Sequence, residues 1–154
     1  MAPVVTSAGI LLYRRSPELE VYIAHMGGPF WGRKDAASWS IPKGIFEDGE
    51  LPLAAAIREF TEEIGVAPPA VEYELLGEYV QRSKKLVTVF VAEADFAVDE
   101  VVSNTFELEW PPRSGRMQDF PEIDRAAWVS IEDARVKLVA GQVAALDALV
   151  ARLG

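Results

Sequence analysis

Residues Gly44–Val66 read GIFEDGELPLAAAIREFTEEIGV, and the spacing inside this stretch governs how the rest of the chain is read. Gly44 is followed six positions later by Glu50, then by Arg58-Glu59, the apolar Phe60, Glu62-Glu63 and Gly65-Val66. Ile57, Phe60, Thr61 and Ile64 recur at i, i+3, i+4 and i+7, which predicts a helix that buries one stripe. Pro52 suits a first turn, and Gly65 stands where a left-handed residue would cap the end. On such a helix Glu59, Glu62 and Glu63 are expected to leave from one face, away from the apolar stripe. Each like-charged pair there costs about 0.2–0.5 kcal/mol, and Arg58 can offset only part of it, most directly at Glu62.

An acidic run on a helix is ordinarily a solvated face. The fixed positions of Gly44, Glu50 and Gly65 favour a metal site, because a hard, oxygen-seeking cation such as Mg²⁺ or Mn²⁺ would relieve the repulsion. Gly44 is expected to permit a turn closed to other residues. Glu50, just before the helix, is expected to orient its neighbours or favour the positive helix end.

With 154 residues the chain is expected to form one domain over 1–154, and half hydrophobic and a quarter charged is ordinary globular composition. The net charge of −9 argues against a surface that coats extended nucleic acid. A small polyphosphate stays compatible with it, since bound metal can reverse the local field. Without cysteine there is no disulfide, thiolate metal site or cysteine nucleophile. The start MAPVVTSAGILLYRR lacks a signal-peptide pattern and no apolar run would span a bilayer, so a cytoplasmic protein without membrane partners is expected.

Val4–Tyr13 and Leu19–His25 read as paired strands around Arg15-Ser16-Pro17, followed by a Gly-rich loop Met26–Ser38 and the short lead-in Trp39–Pro42. After the helix, Val71–Val80 and Leu86–Ala94 read as a second strand pair across the basic turn Arg82–Lys85. Asp95–Asp119 reads as irregular, with a strand at Phe106–Trp110 and a proline break at Pro111-Pro112. Ala126–Val129 reads as a strand, Ile131–Val139 and Gln142–Leu153 as helices. In the last helix Val143, Leu146, Leu149, Val150 and Leu153 supply the apolar positions. This order of elements implies an α+β domain with a mixed sheet between helices, in α/β/α layers.

The Gly44–Val66 pattern, G-x5-E-x7-R-E-U-x-E-E-x-G-U with U apolar, resembles the signature of the Nudix hydrolases, and every specified position is filled. The resemblance covers residues 3–139 at the level of element order. It implies the Nudix fold and metal-dependent cleavage of a nucleoside diphosphate linked to another group. It also implies that Glu59, Glu62 and Glu63 are metal ligands, that the backbone at Gly44 adds a carbonyl, and that Arg58 orients the cluster. Relatives bring a fourth carboxylate from a later loop as ligand or base. Glu122, in FPEIDRAAW, is similar to that residue, with Glu107 and Glu109 of FELEW as competitors.

The lead-in WSIPKG carries Lys43 where the family more often has glycine, and Pro42-Lys43-Gly44 is similar to the branch that cleaves diadenosine polyphosphates, and also to some decapping and inositol-pyrophosphate relatives. A lysine there would place a point charge on phosphate oxygens, or else be a solvated surface residue. Phe30 and Trp31 could stack a base or cap the core, while Arg33, Arg113 and Arg116 are candidates for phosphate contact. The substrate expected first is a dinucleoside polyphosphate, then nucleoside triphosphates and their oxidised forms. Val80-Gln81-Arg82 stand where the ADP-ribose branch carries a proline. A catalytically silent nucleotide-sensing module is the rival reading, and the intact glutamates speak against it. A monomer or homodimer acting on a small nucleotide is expected. His25, a lone strand histidine, is given no role.

Overall fold

Alternation along the first strand divides the core into two halves, one for each face of the sheet. In β1 (Val5–Arg15), Ala8, Ile10 and Leu12 point one way, where they meet Ala55, Ala56, Phe60 and Ile64 of α1 (Pro52–Ile64). Leu11 points the other way, into a cluster with Ala134 of α2 (Ile131–Lys137) and Ala145, Leu146 and Leu149 of α3 (Val143–Leu153). Helices thus cover both faces, as the α/β/α layering expected from the sequence requires. This computed structural model describes residues 5–15, 17–47, 49–81, 85–98 and 100–154, so Val4, Ser16 and the turn residues Arg82–Lys84 lie outside the described residues.

The sheet is mixed and seven-stranded. β1 runs parallel to β6 (Lys85–Glu93) along one edge, and β5 (Glu74–Gln81) pairs antiparallel with β6 beyond it. On its other edge β1 pairs with β2 (Leu19–Met26) only from Tyr13 to Arg15, after which the two strands diverge. The chain from Trp39 to Ile45 fills the fork. β3 (Trp39–Ser40) pairs with β2, and β4 (Lys43–Ile45) pairs with β1 at Ser7–Gly9. The fork therefore carries Lys43 and Gly44 across the gap, under the C-terminal half of α1. β9 (Ile123–Ser130) closes the far edge of β2.

Three expectations change. The strand expected at Phe106–Trp110 is present as β7 (Thr105–Glu109), but the rest of 95–119 is not all irregular: β8 (Met117–Pro121) pairs with β7 in an antiparallel hairpin, a second small sheet. Its second strand, MQDFP, has little apolar content and a terminal proline, so no alternation announced it. The buried stripe of α1 also differs. Ile57 and Thr61 are only partly buried, and the inward positions are Ala55, Ala56, Phe60, Glu63 and Ile64. Phe60 is fully buried, packed edge-on against Phe96 at 5.4 Å. In α3, Val150 is exposed and Ala145 takes its place inside. Among the described residues no helix is long and apolar enough to cross a membrane.

Candidate active site

Gly65 ends α1 with φ 98°, its N–H bonded to the Thr61 carbonyl at 2.9 Å, as the cap position requires. The next carbonyls are taken up by a passing segment: Asn104 N–H donates to Glu62 O and Val102 N–H to Ile64 O. The carbonyl of Asn104 then accepts from Glu122 N–H at 2.9 Å, so the helix end and the Glu122 loop share one backbone tie.

Arg58 organises the outer half of the acidic cluster. Its Nε and Nη2 bond both oxygens of Glu50 at 2.8 and 3.0 Å, and Nη1 bonds Glu59 at 2.8 Å and Glu62 at 3.2 Å. The expected Arg58–Glu62 pair is present, but Glu50 is the stronger partner because only there is the guanidinium fork bidentate. Glu50 also accepts Glu47 N–H, and its carboxyl is held down to about 2, mainly by Arg58.

Glu63 is different. It does not leave the helix away from the apolar stripe, as expected; it is 9% exposed and lies on the inward side. Its Oε1 accepts Lys43 N–H at 3.2 Å. Burial pushes its pKa up to about 8, the Lys43 charge and N–H pull it back, and the charges of Glu122 and Glu59 add to the rise. Glu59 is raised by burial too, against the pull of Arg58. Glu122 is an exposed residue whose carboxyl is partly desolvated, which raises it, with Glu62 adding to the rise and Lys43 opposing it.

The reason for glycine at 44 also differs from the expected turn. Gly44 sits in β4 without a positive φ. A Cβ on it would run into the Glu59 carboxylate, so the residue must be glycine to let that group lie against the strand.

A cleft of about 210 Å³ opens beside these groups, lined by Trp31, Lys43, Glu63 and Glu122 together with Met26, Gly27, Ser40, Phe106 and Ile123. A larger groove of about 440 Å³ lies at Leu53, Ile57 and Pro68–Tyr73, but it is mostly apolar and Glu72 is its one charged residue. The charged groups Lys43, Glu63 and Glu122 gather at the smaller cleft. Trp31 has Lys34 Nζ over its ring at 5.3 Å. Phe30 is not in the cleft: it is exposed, edge-on to Trp110 at 5.4 Å. Arg33 is exposed on the same loop, and Arg113 and Arg116 are exposed in the β7–β8 turn. None of these arginines lines the cleft. Glu107 and Glu109 share the exposed face of β7, as alternation predicts, while Phe106 faces the cleft. Of the three later carboxylates, only Glu122 lines the cleft. Phe106 was legible only as half of that alternation.

The donors suit a hard cation. Arg58 takes one oxygen each of Glu59 and Glu62, and Lys43 N–H takes one of Glu63. The second oxygen of each has no hydrogen-bond partner among the described residues. Among the described residues, no three acidic or imidazole groups already close around an ion-sized point. Arg58 and Lys43 N–H hold the carboxylates in this arrangement. The group is a set of poised oxygens, and carboxylate oxygen is the ligand type Mg²⁺ and Mn²⁺ prefer.

Several known proteins are similar to this chain in sequence or in fold. An RNA pyrophosphohydrolase of Francisella philomiragia is 34% identical over 113 residues, covering 66% of this chain and 68% of that protein. One from Francisella tularensis is 50% identical over 44 residues, 28% of each. Among solved structures, the Caenorhabditis elegans Ap4A hydrolase binary complex superposes with a TM-score of 0.66 at 22% identity, covering 96% of this chain and 97% of that one. The NUDIX domain of Shewanella oneidensis NrtR, complexed with ADP ribose, gives 0.67 at 15% identity, covering 100% and 91%. At such identities the likeness is one of fold. The family description "NUDIX domain" matches residues 3–150, beyond the 3–139 read from element order. With that match over nearly the whole sequence, the chain belongs to the Nudix family of pyrophosphohydrolases.

Proposed function

We propose that this chain hydrolyses a phosphoanhydride bond of a nucleoside polyphosphate at the cleft between Lys43, Glu63 and Glu122. The observation that carries the reading is the set of uncommitted oxygens on Glu59, Glu62 and Glu63 beside that cleft. Nudix enzymes generally use divalent metal. Here Glu59, Glu62 and Glu63 would hold Mg²⁺ or Mn²⁺, with the Gly44 carbonyl as a further ligand. The bound ion would neutralise phosphate charge and acidify a water.

The chain's own groups do the rest. Lys43 places its ammonium on non-bridging oxygens, Trp31 offers a face for the base, and Arg58 fixes the carboxylates without touching substrate. Glu122, partly desolvated and lining the same cleft, takes the proton of the attacking water at its carboxylate. For substrate, the Pro42-Lys43-Gly44 lead-in favours dinucleoside polyphosphates, ahead of nucleoside triphosphates and their oxidised forms. A second reading, the 5′-triphosphate end of RNA, is favoured by the relative named RNA pyrophosphohydrolase.

A panel of diadenosine polyphosphates, nucleoside triphosphates, oxidised guanine nucleotides, ADP-ribose and a 5′-triphosphorylated oligonucleotide, with Mg²⁺ or with EDTA, tests this. Cleavage of the first class, abolished by EDTA, is the expected result. Preference for the oligonucleotide would select the second reading. EDTA-insensitive cleavage, or none, would overturn the site.

A further inference from the structure

β2 and β9 pair in regular register from Glu20↔Ser130 to His25↔Arg125, and then the ladder slips, so that Met26 faces Ile123. Asp124 is the extra residue of this bulge. A bulge re-aims the side chains beside it. Here Ile123 enters the core, Glu122 reaches the cleft, and the Glu122 carbonyl accepts Gly27 N–H at 2.8 Å.

His25 sits at the slip, fully buried, edge-on to Trp39 at 5.2 Å. Its Nδ1 meets Asp124 Oδ1 at 2.8 Å, which fastens the bulge. Its Nε2 donates to the Lys34 carbonyl at 2.7 Å, which fastens the loop that carries Trp31. Each wall has other ties. Asp35 on the loop bonds Trp39 Nε1–H and Lys137, and Asp124 also meets Arg125. No other described side chain bonds both walls.

We infer that His25 is a positioning residue for the reaction: one buried imidazole sets the separation of the Trp31 wall from the Glu122 wall, one wall on each ring nitrogen. The inference rests on the site placement proposed above. It assigns the two nitrogens different kinetic consequences. Loss of the Asp124 bond frees Glu122 and lowers kcat. Loss of the Lys34 bond frees the Trp31 loop and raises KM.

The experiment compares kcat and KM for His25→Ala, His25→Asn, His25→Gln and Asp124→Ala, with Glu63→Gln beside them. His25→Ala should lose roughly 10–100-fold in kcat/KM, the range typical of groups that orient catalytic residues. Asn keeps an amide near the Nδ1 position, so kcat should recover while KM stays high. Gln reaches toward the Lys34 carbonyl, so KM should recover while kcat stays low, and Asp124→Ala should copy that pattern. Amide exchange at Gly27 provides a readout without turnover: faster in His25→Ala and Asp124→Ala, restored in His25→Asn. Unchanged kinetics, or equal losses that follow thermal stability across all variants, would overturn the inference. A dead Glu63→Gln beside unmoved His25 variants would sink this inference alone, whereas an active Glu63→Gln would sink the site itself.

Discussion

Glu50 stands just before α1 and Glu63 lies in its last turn, and the fold drives the same side chain in opposite directions at these two ends. At the outer end Glu50 meets the guanidinium fork of Arg58, and its carboxyl falls to about 2. At the inner end Glu63 is buried against β4 with a backbone N–H and a nearby lysine charge, and its carboxyl rises to about 8. The outer glutamate has its charge neutralised by the protein. The inner one does not, and a buried carboxylate without a full countercharge is costly unless something else supplies it. The outer end therefore holds geometry, and the inner end holds a demand for positive charge that a cation would meet.

The comparison breaks most sharply at Glu63→Gln. The substitution keeps shape and removes the charge, so kcat should fall by at least about 100-fold. The fold should persist, because Gln can still accept Lys43 N–H. Steady-state turnover at saturating Mg²⁺ with a circular-dichroism melt checks both halves; wild-type-like kcat would return Glu63 to a structural role. Next comes Gly44→Ala, where a single methyl enters the space of the Glu59 carboxylate. Its expected cost is about 1–3 kcal/mol in stability from overpacking. Mn²⁺ affinity, read by titration calorimetry, should weaken roughly 10–100-fold. Unchanged affinity would mean that Glu59 is not held where the metal needs it.

Arg58 tests the outer half. Arg58→Ala leaves Glu50, Glu59 and Glu62 facing one another, and the side chain is one-quarter exposed. Its cost should lie between that of surface and buried pairs, about 1–3 kcal/mol. Mn²⁺ affinity should drop about tenfold, at the low end for an orienting group. Arg58→Lys should recover little, since lysine keeps the charge but not the fork that spans both Glu50 oxygens. Full recovery with lysine would show that charge alone matters at the outer end.

Much of this site was legible in the sequence because the helix periodicity fixes which residues share a face. Glu59, Glu62, Arg58 and the Gly65 cap follow from 3.6-residue spacing and left-handed capping alone. The inward turn of Glu63 does not. A glutamate on a helix reads as solvated, and only the fork between β1 and β2, which carries β4 under the helix, gives it a buried neighbour. Gly44 was legible as a required glycine but for the wrong reason, since close approach of Glu59 leaves no mark on local sequence. Of the β7–β8 hairpin only the first strand, with Phe106 on it, was legible; its pairing stayed hidden because β8 has no alternation to read. His25 was legible only as a buried strand residue. Its two partners lie 9 and 99 positions away, a juxtaposition made by the bulge.

The smallest expected effect separates the two ends by pH, in the metal-free protein with EDTA present. Glu63 keeps its proton in the folded state while the unfolded chain gives it up, between the ordinary carboxylate value of 4.5 and about 8. The folded state binds more protons across that window, so stability should fall as pH rises through it. Glu50 does the opposite. The unfolded chain takes up a proton near 4.5 and the folded state only at about 2, so stability should fall as pH drops through that range. Thermal melts across pH should show both slopes in the wild type, with Glu63→Gln flattening the alkaline one and Glu50→Gln the acid one. Salt then distinguishes their causes. Pairing with Arg58 is screened, so high salt should shrink the acid slope, while desolvation is not screened and the alkaline slope should persist. An alkaline slope that survives Glu63→Gln would move the buried charge to Glu59 or Glu122, whose carboxyls burial also raises, and the inner end would then be shared among three groups.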